Sequence, residues 1–264
     1  MKISSLAYHD VLSIDKHNDS GFKNSSAISY KIDYDKFKFQ LNKINEAKKY
    51  IPVTINDLVE KNLSGRFMLT FDDGGVSAFT SIKEILDKYK WKGHFFITAK
   101  FINKKGFLSS EQIIQLKNDG HVIGTHSWSH PLIISSLNDE ELNYEWEKSI
   151  DTLENIINEP IISASIPGGF FSNRVANSVI KNGVKFLFTS EPIRRSYLIQ
   201  DCQIFGRFVV QKNFSNKKVI NFIKPYSLEQ YKQYIFWIYK KLVKRLLGKK
   251  YITLRRFYSN IKFL

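Results

Sequence analysis

The feature that most constrains this chain is an alternation. Short apolar runs, each ending in polar or glycine-rich residues, alternate with segments whose apolar residues recur at helical spacing. Residues 67–71 (FMLTF) run into Asp72-Asp73-Gly74-Gly75 and read as a strand meeting a loop. Ile82, Ile85, Leu86 and Tyr89 follow at helical spacing, and 94–98 is the next strand. Ser109 stands three residues before Gln112, a capping-box pattern, and the helix it opens stops at Gly120. Residues 121–125 are again a strand. Asn138 with Glu141 opens a long helix carrying Leu142, Trp146, Ile150, Leu153 and Ile157. A strand over 161–166 ends in Pro167-Gly168-Gly169. A helix over 175–181 stops at Gly183, and 184–189 is a further strand. Repeated strand–helix units imply an α/β fold, a parallel sheet with helices outside it, open or closed into a barrel. In such folds ligands collect where strands end and helices begin.

Composition narrows the class. At 264 residues and 43% hydrophobic, the chain can bury a sizeable core as one large domain with or without an appendage. The single cysteine, Cys202, excludes an internal disulfide and a multi-cysteine zinc module, and suits a reducing compartment. The opening MKISSLAYHDVLSID has an apolar run too short and too interrupted for a secretory signal, and no apolar stretch is long enough to cross a bilayer. The expectation is a protein kept in the cytoplasm. The net charge of +15 is unevenly placed: residues 207–264 hold 15 Lys and Arg against one acid, Glu229, whereas the other 206 hold 25 against 24. That asymmetry points to an anionic partner, nucleic acid or membrane surface.

The residues able to carry chemistry sit at the ends of the strands. Asp72 and Asp73 follow one; His126 follows another, with His130 four residues on. On a helical turn, imidazoles at i and i+4 face one way and can close on one metal ion. A carboxylate from a neighbouring strand end would complete a set of two histidines and one acid, leaving coordination positions open for water and substrate. Adjacent aspartates on an extended segment point apart, so one can bind the ion while the other acts as a base. Taken singly, Asp-Asp-Gly is an ordinary turn and H-x-x-x-H an ordinary surface pair. Their occurrence together at successive strand ends is what favours a site.

Thr70-Phe71-Asp72-Asp73-Gly74 followed by His126-Ser127-Trp128-Ser129-His130 resembles the first two signature motifs of the polysaccharide deacetylase family, the NodB-homology domain. Gly93-His94-Phe95-Phe96 between them and Tyr8-His9 near the start also match, and the resemblance covers about residues 5–210. It implies a distorted (β/α) barrel, here with a basic helical C-terminal extension. It also implies metal-dependent removal of acetyl groups from N-acetylated amino sugars. By motif position Asp73, His126 and His130 would hold a divalent ion, most simply Zn2+, and Asp72 would be the general base. Pro167, Gly168 and Gly169 occupy the third motif, where a backbone N–H would help bind the oxyanion. Two departures stand out. The third-motif arginine, which steadies the base, is replaced by Ser165, and no histidine follows His130 to serve as the final motif's general acid. Arg207 is a candidate for the first role, with a solvated surface arginine as its plain alternative. His94, at the start of its strand, lies at the wrong end. His9 is a candidate for the acid, and Glu191 for the acid or for a sugar contact. The departures leave a second reading open, a catalytically impaired sugar-binding or scaffold protein on the same fold.

The tail divides from the body at about 225/226, giving a catalytic domain over 1–225 and a basic amphipathic extension over 226–264. Tyr231, Ile235, Ile238, Leu242 and Leu246 fall on one stripe of a helix, with Lys232, Lys240, Lys241, Lys244 and Arg245 along its flanks. This suits an interfacial helix on an anionic membrane or a helix packed on the barrel with a basic outer face. The segment 249–264 reads as flexible. Basic patches with interleaved aromatics also bind single-stranded nucleic acid, but no nucleic-acid module accompanies this one. The expectation is a cytoplasmic deacetylase, peripheral on the inner face of the membrane. Its substrate would be a glycan, or a lipid-linked or nucleotide-linked amino sugar made for surface polysaccharide assembly.

Overall fold

The computed structural model describes residues 1–16, 19–58 and 64–247; the segment 249–264 that reads as flexible lies outside them. The strands in chain order are β1 (Ser4–Tyr8), β2 (Val11–Leu12), β3 (Ile32–Asp33), β4 (Ile51–Pro52), β5 (Arg66–Phe71), β6 (His94–Ile97), β7 (Val122–Thr125), β8 (Ser163–Ser165), β9 (Phe186–Phe188), β10 (Tyr197–Ile199), β11 (Cys202–Phe205) and β12 (Phe208–Val209). The helices are α1 (Ser25–Ile28), α2 (Tyr34–Glu46), α3 (Lys83–Lys88), α4 (Ser110–Asn118), α5 (Asp139–Ile157), α6 (Asn173–Lys181), α7 (Asn216–Ile223) and α8 (Leu228–Leu247). The two capping boxes form as read. Ser109 Oγ accepts from Gln112 N while Ser109 N donates to Gln112 Oε1. Asn138 and Glu141 do the same at the start of α5.

The main sheet runs β10-β11-β9-β8-β7-β6-β5-β1-β12, with β4 paired to β5 and all its ladders parallel except that of β10 with β11. It curls into a distorted barrel whose seam lies between β11 and β12. These two are halves of one strand path. The first half pairs with β9 (Phe205 opposite Phe188) and the second with β1 (Phe208 opposite Leu6). Only Gly206 and Arg207 join them. Gly206 is required there, because a Cβ would fall 2.3 Å from Glu191 O. The seam is covered lower down, where Ile3 N donates to Arg194 O and Ser196 N to Met1 O.

Side-chain parity separates two buried layers. Phe67, Leu69 and Phe71 join the layer beneath the helices, with Phe37, Leu41, Leu86, Leu116 and Trp146. Met68, Phe96, Phe188 and Phe205 pack together with Ile3, Val53 and Ile55, filling the interior of the barrel. Each fully buried Phe contributes roughly 1.5–3 kcal/mol relative to exposure. This apolar cluster fills the interior with side chains, so it is packed core rather than a pore.

Candidate active site

The parallel register brings separate strand ends together. Tyr8 lies opposite Phe71, and Asp72 N donates to Tyr8 O at 2.9 Å, so His9 leaves the sheet beside Asp72. The neighbouring β6, β7 and β8 deliver Thr98, His126 and Ile166 at the same end. A cleft of about 990 Å³ opens there, lined among others by His9, Asp72, Asp73, His126, His130, Gly168, Gly169 and Glu191.

Asp73, His126 and His130 converge, with one donor atom from each within 4.8 Å of the others. Asp73 Oδ1 is 3.5 Å from His126 Nε2 and 3.6 Å from His130 Nε2. The local route differs from the one expected. Residues 126–130 form no helical turn; Ser127 and His130 take positive φ (64° and 56°), and the loop folds back so that the rings lie 5.0 Å apart. Nor are the aspartates on an extended segment, because Asp73 has φ 77° and turns away from Asp72. Left-handed conformations at non-glycine residues cost on the order of 1–3 kcal/mol each, and here they fall on two of the three converging residues.

The donor set suits a divalent cation. His126 Nδ1 lies 3.0 Å from Ser165 O; a carbonyl only accepts, so Nδ1 carries the proton and Nε2 offers its lone pair towards Asp73. Burial pushes the His126 imidazole down to about 3 and also lowers His130, keeping both in the neutral, ligating form. Asp73 is buried and its Oδ1 has no hydrogen-bond partner. Burial, followed by the charges of Asp72 and Asp10, pushes its carboxyl up to about 7 against the pull of His9. A buried, unpartnered carboxylate oxygen between two imidazole lone pairs is a place for a positive ion.

Asp72 has the opposite environment. Arg207 Nη1 donates to Asp72 Oδ1 at 2.7 Å and Arg207 Nη2 to Asp72 Oδ2 at 2.8 Å. Arg207 is buried (1% exposed), not solvated; it also donates to Thr189 O and Thr70 Oγ1, with its guanidinium carbon 5.7 Å from the Phe96 ring centre. Burial alone would raise the Asp72 carboxyl. The Arg207 charge and its paired hydrogen bonds, with His126, outweigh that and hold it well below the usual carboxylate range. Ser165, where the resemblance implies an arginine, accepts from Arg207 Nη2 at 2.7 Å and donates to Asp72 Oδ2 at 3.2 Å.

The remaining candidates divide. His9 lines the cleft, stacks on Tyr30 with centroids 4.7 Å apart, and has a buried Nδ1 with no hydrogen-bond partner. Glu191 also lines the cleft; burial raises its carboxyl, against the pull of Lys241 and a hydrogen bond with Tyr197. Gly168 and Gly169 line it with positive φ, whereas Pro167 is buried and is not among the lining residues. His94 sits apart, accepting from Ile55 N and donating to Leu69 O, both at 3.0 Å. Sequence reasoning missed Glu145. It accepts from Ser129 N at 2.8 Å and Ser129 Oγ at 2.5 Å, and its backbone carbonyl accepts from Trp128 N, clamping the loop that carries both histidines. The available signal was an acid on the face of α5 that also carries Leu142, Trp146 and Ser149.

Comparison with known proteins points to one family. Residues 60–187 match the polysaccharide deacetylase family model. The peptidoglycan-N-acetylmuramic acid deacetylase PdaA of Bacillus subtilis is 28% identical over 158 residues, 57% of this chain and 54% of that protein. A chitooligosaccharide deacetylase of Azorhizobium caulinodans is 29% identical over 119 residues, 44% of this chain and 54% of that protein. The chain spans about half the length of the curated relatives it matches first. Among solved structures, the Streptococcus pyogenes deacetylase PplD superposes with TM-score 0.68 at 18% identity over 85% of this chain and 99% of that one. The Bacillus cereus polysaccharide deacetylase BC0361 gives 0.71 at 18% identity over 85% and 69%. At that identity these two speak for the fold: a curled parallel sheet forming a distorted barrel. Residues 60–187, just under half of the chain, carry its likeness to the polysaccharide deacetylase family.

Proposed function

We propose that this chain hydrolyses the N-acetyl group of an amino sugar in a glycan or glycan precursor made for surface polysaccharide. The observation that carries the reading is the pairing of two aspartates in opposite environments: Asp73 unpartnered between two imidazoles, and Asp72 locked by Arg207 beside them. The relatives' names point the same way, since they act on N-acetylmuramic acid, N-acetylglucosamine and chitooligosaccharide.

Asp73, His126 and His130 would hold the divalent ion, and their nitrogen and oxygen donors suit zinc. Bound there, it would supply Lewis-acid polarisation of the acetamide carbonyl and a more acidic water. Asp72 accepts a proton from the attacking water. Arg207 keeps its carboxylate ionised and fixes its plane, while Ser165 holds one oxygen. The leaving amine needs a proton, and on this reading His9 gives it. It follows β1 beside Asp72, and its Nδ1 is free of protein partners. The backbone at Gly168 and Gly169 forms the wall facing the developing oxyanion.

The reading in which the fold is a degenerate sugar binder drew on the absent third-motif arginine. Arg207, from the join between β11 and β12, holds Asp72 through two hydrogen bonds, which speaks against that ground. The other ground, the absent final-motif histidine, is answered by the acid role proposed for His9. The deciding experiment is acetate release from N-acetylated glycans and glycan precursors, with and without added Zn2+, by the wild type and Asp72→Asn. Release by the wild type that falls roughly 10²–10⁴-fold in the variant is expected. Saturable glycan binding with no acetate under any divalent ion would favour the binder.

A further inference from the structure

We propose that α8 is a membrane-docking helix whose outer face lies in the headgroup layer of an anionic bilayer, with the cleft opening beside it. The argument starts from which side of the helix faces the protein. Gln230 is buried, its Nε2 donating to Phe222 O at 2.6 Å and to Lys224 O at 2.9 Å. Gln233 and Trp237 line the cleft, with Phe236, Lys240 and Lys241. The opposite face carries Leu228, Tyr231, Ile235, Tyr239, Leu242 and Leu246, at intervals of three or four residues and therefore on one stripe. Their exposure runs from 48% at Ile235 to 84% at Leu246. A helix packed on a barrel in water turns its apolar stripe inward; this one turns Gln230, Gln233, Tyr234, Trp237 and Ile238 towards the protein and still leaves a second, continuous apolar stripe outside. A contiguous exposed stripe of large apolar residues marks a surface that is covered by something.

Charge selects the occupant. The 58 residues from 207 to 264 contain 15 Lys and Arg and a single acid, Glu229. A second copy seated on the stripe across a two-fold axis would bring two α8 helices together, each with Lys232, Lys240, Lys241, Lys244 and Arg245 in its sequence against the one acid Glu229, and like charges in apposition oppose that pairing. An anionic bilayer offers an apolar layer for Leu228, Ile235, Leu242 and Leu246, and a negative surface for Lys232, Lys241 and the basic residues that follow in sequence. No helix among the described residues is long and apolar enough to cross a membrane, so the helix would lie in the interface.

The cleft shares this helix. With α8 in the headgroup layer, Lys240 and Lys241 stand at the cleft wall beside the lipid surface, where an amino sugar carried on a lipid through a phosphate would arrive. That delivery rests on the deacetylase reading. The docking rests on α8 alone, and its test needs no turnover.

The full-length protein is mixed with vesicles of phosphatidylcholine alone, or of phosphatidylcholine with phosphatidylglycerol, at low and high salt, and sedimented. The comparison is a variant carrying Ile235→Ser, Leu242→Ser and Leu246→Ser, positions outside the cleft. The wild type is expected to sediment with the anionic vesicles, less so at high salt. The variant should bind them roughly tenfold or more weakly, with an unchanged melting temperature. Three results would overturn the proposal: no sedimentation with anionic vesicles at low salt; undiminished binding by the variant, meaning that tail charge alone suffices; or a dimer without vesicles that the variant dissolves, which would give the stripe to a second copy.

Discussion

Arg207 grips Asp72 through two parallel hydrogen bonds, 2.7 Å and 2.8 Å, across 135 residues of sequence, and both side chains are buried. The pair sets the plane and the charge of the proposed base. Arg207→Lys keeps the charge but not the fork. It should lower kcat substantially while the bound metal, measured by elemental analysis, stays at wild-type stoichiometry. Arg207→Ala leaves a buried carboxylate unpaired, which costs roughly 3–5 kcal/mol and should show as an earlier urea midpoint.

His9 as proton donor makes a selective prediction. An amine cannot leave without a proton, whereas an aryloxide can. His9→Ala should therefore lose roughly 10²–10⁴-fold on an N-acetyl sugar and retain most activity on an aryl acetate. Equal losses on both substrates would move His9 out of the acid role.

Glu145 touches neither the cation site nor the cleft, yet holds Ser129 through two hydrogen bonds and so shapes the left-handed turn between the histidines. Glu145→Ala should weaken Zn2+ binding by roughly 10–100-fold, the range for residues that orient ligands, as read by calorimetric titration. Asp73→Asn should weaken it more, because it removes a ligand charge. Unaltered affinity in Glu145→Ala would show that the loop holds its shape without the clamp.

Stability should depend on pH through His94, remote from the site. Burial depresses its imidazole to about 4 from a usual 6.5, and its Nε2 accepts from Ile55 N. Below 6.5 the unfolded chain takes up a proton that the folded protein refuses, so stability is complete above that value and falls as pH drops towards 4. The loss attributable to His94 is about 3 kcal/mol at most. Urea midpoints between pH 7 and 4.5 should decline in the wild type and less steeply in a folded His94→Gln variant, the lowered imidazoles of His121, His126 and His130 accounting for the remaining slope.

Much of this was legible in the sequence because it depends on neighbours along the chain. The capping residues Ser109 and Asn138 reach only three positions ahead, and the runs over 67–71 and 121–125 declare their strands by composition. The motif residues Asp72, Asp73, His126 and His130 sit where strands end, and parallel strands carry their C-terminal ends to one side. The backbone between them was not legible: the spacing of His126 and His130 suggested a helical turn, and a left-handed loop stands there.

What the sequence by itself determined is therefore the alternation, the end of the barrel where chemistry gathers, and the residue types available there. Only the tertiary structure decided which arginine serves Asp72, because the answer depends on a strand that changes partners at Gly206 and turns Arg207 into the barrel. It alone decided that α8 faces its glutamines inward, since periodicity marks a stripe on a helix but carries no information about which way that stripe points. Local interactions are written in adjacent residues; pairings across 135 positions arise from closure of the barrel.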